Sequence, residues 1–258
     1  MRYLRCIRPH FRGFSTTNVG IHPCQDLAGT APFHDYYVML HSREPPQEFP
    51  KAVSSPIQKA LQLALTPSNG LVNFSWSLQQ SLPPLSPSSD ELYFATAFSK
   101  EGNVIEVEDL SLSNVHEAAQ RITSSRSTVQ ACNATRPLYI YVCTHAARDC
   151  RCGDVGGSVA EAFRKEIDRR GLTSEVKLGE TGHVGGHKYA ANVLIYPKGE
   201  WLGHVKPEDV SNILDKVLED HALDWNPSTT PPLLLSHWRG RMGLEKEQQL
   251  ALAAAHPS

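Results

Sequence analysis

Cys143-Thr-His-Ala-Ala-Arg-Asp-Cys-Arg-Cys152, followed about thirty residues later by Gly182-His-Val-Gly-Gly-His-Lys188, carries two close pairs of soft or borderline metal donors. Thiolate sulfur and imidazole nitrogen suit zinc or iron-sulfur centres and poorly suit magnesium or calcium. The residues before it, Leu138-Tyr-Ile-Tyr-Val142, form a short apolar run that reads as a strand, and Val155, Val159, Phe163 and Ile167 beyond it recur at helical spacing. Cys143 thus stands where a strand gives way to a loop. Cys152 stands just before a helix that Asp154 is placed to cap and Gly171 to end. In open α/β sheets, that carboxyl end of a strand is a common place for ligands.

His183 and His187 have the spacing that aligns two side chains on a helix, but Gly179, Gly182, Gly185 and Gly186 argue against one. A glycine-rich loop lets the backbone approach closely and offer N–H groups to a buried anionic group. Structural zinc sites are usually built from two short arms; the histidine pair fits that pattern and the nine-residue step from Cys143 to Cys152 is too wide for it. Three readings therefore stand side by side. A [2Fe-2S] cluster would take Cys143 and Cys152 on one iron and His183 and His187 on the other. A zinc-binding structural or interaction module would use the same donors without redox chemistry. A thiol-disulfide oxidoreductase would exchange Cys143, Cys150 and Cys152, with the histidines serving only the structure.

Outward from this stretch, the second half continues with a short strand over 174–178, a hairpin formed by 192–196 and 201–205 about Lys198-Gly199, and a helix opened by Pro207 with the stripe Val210, Ile213, Leu214, Val217. The first half follows a similar order. Tyr36-Tyr-Val-Met-Leu40 reads as a buried strand, and Ile57, Leu61, Ala64 and Leu65 as a helix. Residues 92–98 and 104–107 then form a hairpin about Lys100-Glu-Gly-Asn103, and 115–122 a closing helix. Residues 66–90 are rich in serine, proline and glutamine, and read as an irregular loop holding one short edge strand near Val72–Phe74. The expected fold class is α/β, with two tandem thioredoxin-like domains: 19–130 without metal ligands and 131–222 with them. A polar linker over 124–136 divides them. The tail, 223–258, has an apolar run beside Trp238 that is expected to pack back on the body, the rival being an exposed docking peptide.

The 258-residue chain has a formal net charge of -2, which gives no electrostatic footprint for nucleic acid. No window approaches the ~20 apolar residues of a membrane span. Three of the six cysteines fall within ten residues, and clustering beside histidines favours a metal or redox site over a disulfide scaffold. Cys6, Cys24 and Cys132 are scattered and read as free thiols. Residues 1–18 are rich in arginine, lack carboxylates and place Tyr3, Ile7, Phe11 and Phe14 on one helical face, the pattern of a mitochondrial presequence, although Pro9 interrupts it. This points to the mitochondrial matrix or intermembrane space, with the cytoplasm as the alternative.

Cys143-Thr-His145, Arg148-Asp-Cys-Arg-Cys-Gly153, Gly182-His-Val-Gly-Gly-His-Lys-Tyr-Ala-Ala-Asn-Val-Leu-Ile-Tyr-Pro197 and Gly199-Glu-Trp-Leu-Gly-His-Val205 resemble the sucrase/ferredoxin-like family of thioredoxin-like ferredoxins. The resemblance is strongest over 138–220 and extends loosely to Gly29-Thr-Ala-Pro32 and Trp238-Arg-Gly-Arg-Met-Gly-Leu244. It implies one [2Fe-2S] cluster held by a Cys-x8-Cys pair and a His-x3-His pair, which fall on Cys143, Cys152, His183 and His187. Cys152, rather than Cys150, is then the second sulfur ligand. His145, Arg148, Asp149, Cys150 and Lys188 become candidates for supporting roles around it. The implied activity is one-electron transfer or redox sensing with an unidentified redox partner protein, rather than turnover of a substrate of its own.

Overall fold

The computed structural model describes residues 27–80, 91–124, 137–223 and 225–256. The presequence reading of 1–18 lies outside these residues, as does the expected linker over 124–136 apart from Ser124, and so do Cys6, Cys24 and Cys132. Nine strands form one mixed sheet in the order β4-β3-β1-β2-β6-β5-β7-β8-β9. The first half supplies β1 (Tyr36–His41), α1 (Pro56–Leu65), β2 (Gly70–Trp76), β3 (Tyr93–Ser99), β4 (Val104–Leu110) and α2 (Val115–Ser124). The second supplies β5 (Leu138–Cys143), α3 (Gly157–Arg170), β6 (Val176–Thr181), β7 (Val193–Tyr196), β8 (Glu200–Leu202) and α4 (Val210–His221), followed by β9 (Trp238–Arg241) and α5 (Lys246–Ala255).

The halves repeat one topology. β1 runs parallel to β2 and antiparallel to β3, and β5 runs parallel to β6 and antiparallel to β7. Local chemistry explains the elements. Ser55 caps α1 by accepting from the Gln58 N–H, Pro56 occupies its first turn, and Ile57, Leu61 and Leu65 form its buried stripe. Gly171 ends α3 with φ +70°, as its position predicts. The expected stripe of α4, Val210, Ile213, Leu214 and Val217, is buried throughout.

Each half packs its two helices on one sheet face, with separate cores around Phe163 and Ile213 in the second half and around Leu61 and Ile122 in the first. The opposite faces meet each other. Tyr37, Met39 and Phe98 of the first half share a third packed cluster with Tyr139, Tyr141, Cys143, Tyr196 and Trp201 of the second. Phe98 stacks on Tyr196 with ring centroids 4.1 Å apart, and Tyr37 meets Trp201 edge-on at 5.8 Å. The two halves also join edge to edge, where Ser75 pairs with Thr181 and Trp76 with Glu180.

Three expectations need correction. Residues 70–76 form no loop with a short edge strand but β2, an interior strand of the sheet. Its alternation of apolar residues with Asn73 and Ser75 was obscured by the Ser/Pro-rich text after it. Gln62 of α1 clamps it by donating to the Gly70 carbonyl and accepting from the Val72 N–H. The first turn after Cys143 is capped by Asp149, not Asp154: the Asp149 carboxylate accepts from the Arg151 N–H at 3.0 Å, and Asp154 lies inside a π-helical turn, Cys152–Gly156. The second hairpin strand spans Glu200–Leu202, shorter than the expected 201–205.

The segment after 222 packs on the body as a ninth strand. Trp238, Arg239 and Arg241 of β9 are buried, and Arg241 forms an ion pair with buried Glu200, whose carboxylate also accepts from the Trp238 indole N–H. Removing one partner of a buried pair leaves an uncompensated charge. Arg241→Met should therefore lower stability by about 3–5 kcal/mol in urea unfolding. Glu200→Gln combined with Arg241→Met, which keeps an acceptor for Trp238 and removes both charges, should recover most of that loss.

Candidate metal centre

The site is built at the carboxyl end of β5. Cys143, the last residue of that strand, is 1% exposed, and Cys152, in the π-helical turn leading into α3, is fully buried. The turn can pack this tightly because position 156 is glycine: a Cβ there would lie 2.1 Å from the Cys143 carbonyl oxygen. The loop after β6 brings in the first histidine. Donor atoms of Cys143, Cys152 and His183 all lie within 4.8 Å of one another, with Cys152 Sγ 3.7 Å from His183 Nδ1.

His187 stands outside that group of three. Its ring lies 5.8 Å from that of His183, centroid to centroid, and its side chain is half exposed. It opens a short 3-10 turn, His187–Tyr189, after Gly186, which adopts φ +68°. A Cβ at Gly186 would come within 2.5 Å of the Arg239 guanidinium, so glycine is required there on both counts. The glycine-loop expectation for the two histidines thus describes their setting.

The thiols are electrostatically unequal. A hydrogen bond from Cys152 holds the Cys143 thiol below its usual pKa, against the opposing effect of burial. The backbone N–H groups of Val184 and His145 and the charge of Arg239 add to this. Cys152 is pushed upward, first by its bond to Cys143 and then by burial. Of the two sulfurs, Cys143 is therefore the one better placed to carry negative charge, with the neighbouring N–H groups facing it.

The supporting candidates divide. His145 is 4% exposed, with Nε2 2.9 Å from the Pro50 carbonyl and Nδ1 accepting from the His183 N–H at 3.3 Å. Those two bonds assign the proton to Nε2. His145 thereby ties the histidine loop to the first half of the chain. Asp149 is held by Arg151 at about pKa 2, below the usual carboxylate range, and its carboxylate lies 3.9 Å from His187 Nδ1. Cys150 is exposed and lies outside the donor group, so the three-thiol arrangement is not assembled. Arg148 is exposed. Lys188 is exposed as well, its ammonium 4.7 Å from the centre of the Tyr189 ring.

Arg239 is the residue that sequence reasoning missed. It is 2% exposed, donates to Asn192 Oδ1 at 2.7 Å and to the Thr30 carbonyl at 2.8 Å, and lies over the rings of Tyr189 and Trp201. Burial pulls its pKa down to about 10, still high enough to keep the charge. Its signal in the sequence was the Trp238-Arg-Gly-Arg-Met run, which was read for packing and for family resemblance but not for charge.

The curated relatives include "Altered inheritance of mitochondria protein 32" of Meyerozyma guilliermondii, 40% identical over 106 residues, which are 40% of this chain and 37% of that protein. The protein of the same name from Debaryomyces hansenii is 40% identical over 84 residues, 31% of this chain and 30% of that protein. These matches thus span little more than a third of the relatives' length at most. "Ferredoxin, 2Fe-2S" of Clostridium pasteurianum is 37% identical over 62 residues, 24% of this chain and 61% of that protein. Among solved structures, a thioredoxin-like [2Fe-2S] ferredoxin from Aquifex aeolicus aligns with TM-score 0.30 and 26% identity over 34% of this chain and 86% of its own. The pattern of the sucrase/ferredoxin-like family matches residues 27–235. With four-fifths of its length so matched, the chain belongs to the sucrase/ferredoxin-like family.

Proposed function

We propose that the protein is an iron-sulfur redox protein that binds one [2Fe-2S] cluster through Cys143, Cys152, His183 and His187. The observation that carries this reading is the convergence of two buried cysteine sulfurs and an imidazole nitrogen within 4.8 Å. The donor set fits the group. Cys143 and Cys152 would hold one iron and His183 and His187, on one glycine-rich loop, the other, while N–H groups and a buried arginine would offset the negative charge. The relatives named as a [2Fe-2S] ferredoxin and as mitochondrial-inheritance proteins support the cofactor and a mitochondrial setting.

In this proposal the chain comprises two tandem thioredoxin-like units, 19–130 without ligands and 131–222 with them, and β9 of the following segment secures the second. The matching strand order of the two halves supports it. When bound, the cluster supplies reversible one-electron chemistry. The protein's own residues do the rest. Cys143 and Cys152 exclude water from the sulfur side, and His145 fixes the His183 backbone. The half-exposed His187 provides the edge nearest solvent and a redox partner. Among the described residues no helix is long and apolar enough to cross a membrane.

Anaerobically purified protein should be red-brown, with iron and acid-labile sulfide in equal amounts and an electron paramagnetic resonance signal on reduction. Cys143→Ser, Cys152→Ser and His183→Ala should each lose that colour, and Cys150→Ser should keep it. A colourless, zinc-loaded protein that accepts no cluster on reconstitution would reject the proposal.

Histidine ligation leaves one imidazole nitrogen per ring free to hold a proton, and added negative charge favours protonation. The midpoint potential should accordingly fall with rising pH, by about 59 mV per unit where one proton accompanies one electron. A potential that stays flat between about pH 6 and 10 would rule out this coupling.

Loss of the group that orients a metal-binding histidine commonly weakens binding by about 10–100-fold. His145→Ala should shorten cluster lifetime against a chelator by a factor in that range while leaving the visible spectrum of freshly loaded protein unchanged in type.

A further inference from the structure

The repeated topology gives the metal centre a counterpart. Cys143 ends β5 and His41 ends β1, and each strand has the same parallel and antiparallel neighbours. On β5, Tyr139, Tyr141 and Cys143 share one face; on β1, Tyr37, Met39 and His41 share the corresponding face, since side chains alternate along a strand. Around His41 lies a cavity of about 500 Å³, within the size range of small-molecule sites. The second half closes it with Tyr139, Tyr141 and Lys177, just as the first half brings Tyr37 and Met39 against the cysteine pair.

The lining specifies a ligand. Trp76, Phe94, Tyr139 and Tyr141 give it aromatic walls, with both tyrosines nearly fully buried. A hydrogen-bonded chain crosses it: His41 Nε2 lies 2.9 Å from Thr96 Oγ1, which donates to Glu106 Oε2 at 2.8 Å, and the Tyr139 hydroxyl donates to Glu106 Oε1. Glu106 is thereby committed on both oxygens. Lys177 is exposed, with its ammonium 5.4 Å from the Tyr139 ring centre, and offers donors to a carbonyl. Glu106 and Glu108 outweigh that one cation, which disfavours an anionic ligand, and burial together with Lys177 draws His41 to about pKa 4, so it adds no charge near neutrality.

From these walls, this charge balance and this donor we infer that the cavity binds a neutral, planar conjugated ring bearing carbonyl oxygens, the ring chemistry shared by flavins and quinones. Such a ring would contact Tyr141, two positions before Cys143 on the same face of the strand. The binding itself needs no iron, so its test is separate from that of the cluster.

Riboflavin and menadione serve as probes, titrated separately into the full-length protein. Riboflavin binding is read by quenching of its own fluorescence and menadione binding by quenching of tryptophan fluorescence. Saturable binding at one ring per chain is expected for at least one probe. Riboflavin alone identifies a flavin-type ring, menadione alone a quinone-type ring, and mutual competition the shared chemistry. Lys177→Ala and Phe94→Ala should each weaken binding by about tenfold or more, with unchanged thermal unfolding as the control for folding. Absence of saturable binding by either probe, or full retention of binding in both variants, would overturn the inference.

Discussion

Burying two cysteine sulfurs beside one another sets the terms for the rest of this molecule. Negative charge removed from water is costly unless donors and a cation meet it. The Val184 and His145 N–H groups and Arg239 supply both. Arg239 is carried by β9, the last strand, and is itself held by Thr30 near the start of the described residues and by Asn192 before β7. One electrostatic requirement at the end of β5 therefore draws together segments from both ends of the chain.

The first half of the chain also contributes to this region. Its helix-free face provides Tyr37 and Met39 to the cluster of side chains that encloses Cys143 and Cys152, and Pro50 accepts from His145, which in turn holds His183. The edge contact is short, with two residue pairs between β2 and β6, and the aromatic layer of Phe98, Tyr139, Tyr141 and Tyr196 adds a face-to-face joint. A face-to-face joint of rings has shape as well as area, and offset or edge-on aromatic contacts favour one relative placement over others. The geometry at the Cys143–Cys152–His183 group thus depends on packing that begins in the other half.

That dependence also accounts for the large cavity. Two related units set face to face place each unit's strand end against the other's sheet face. In the second half the strand end carries sulfur and is tightly filled. In the first it carries His41, and the neighbouring loop has no counterpart to His183. The space that remains is lined by aromatic rings and one hydrogen-bonded polar chain.

Much was legible in the sequence. Cys143 at a strand end, the histidines on a glycine loop, the α4 stripe and the C-terminal glycine of α3 follow from short-range rules of alternation, helical period and backbone freedom, which act within a few residues. Strand β2 was misread because Ser/Pro-rich text follows it, and Asp154 was expected to cap the helix because a π-helical turn leaves no mark in residue spacing. By itself the sequence determined the candidate donors and the order of the elements around them. Only the tertiary structure decided which arginine answers the charge, where the third donor sits and how the two halves face each other. Those depend on contacts between residues far apart in the chain, where burial and electrostatic compensation, not local preference, select the arrangement.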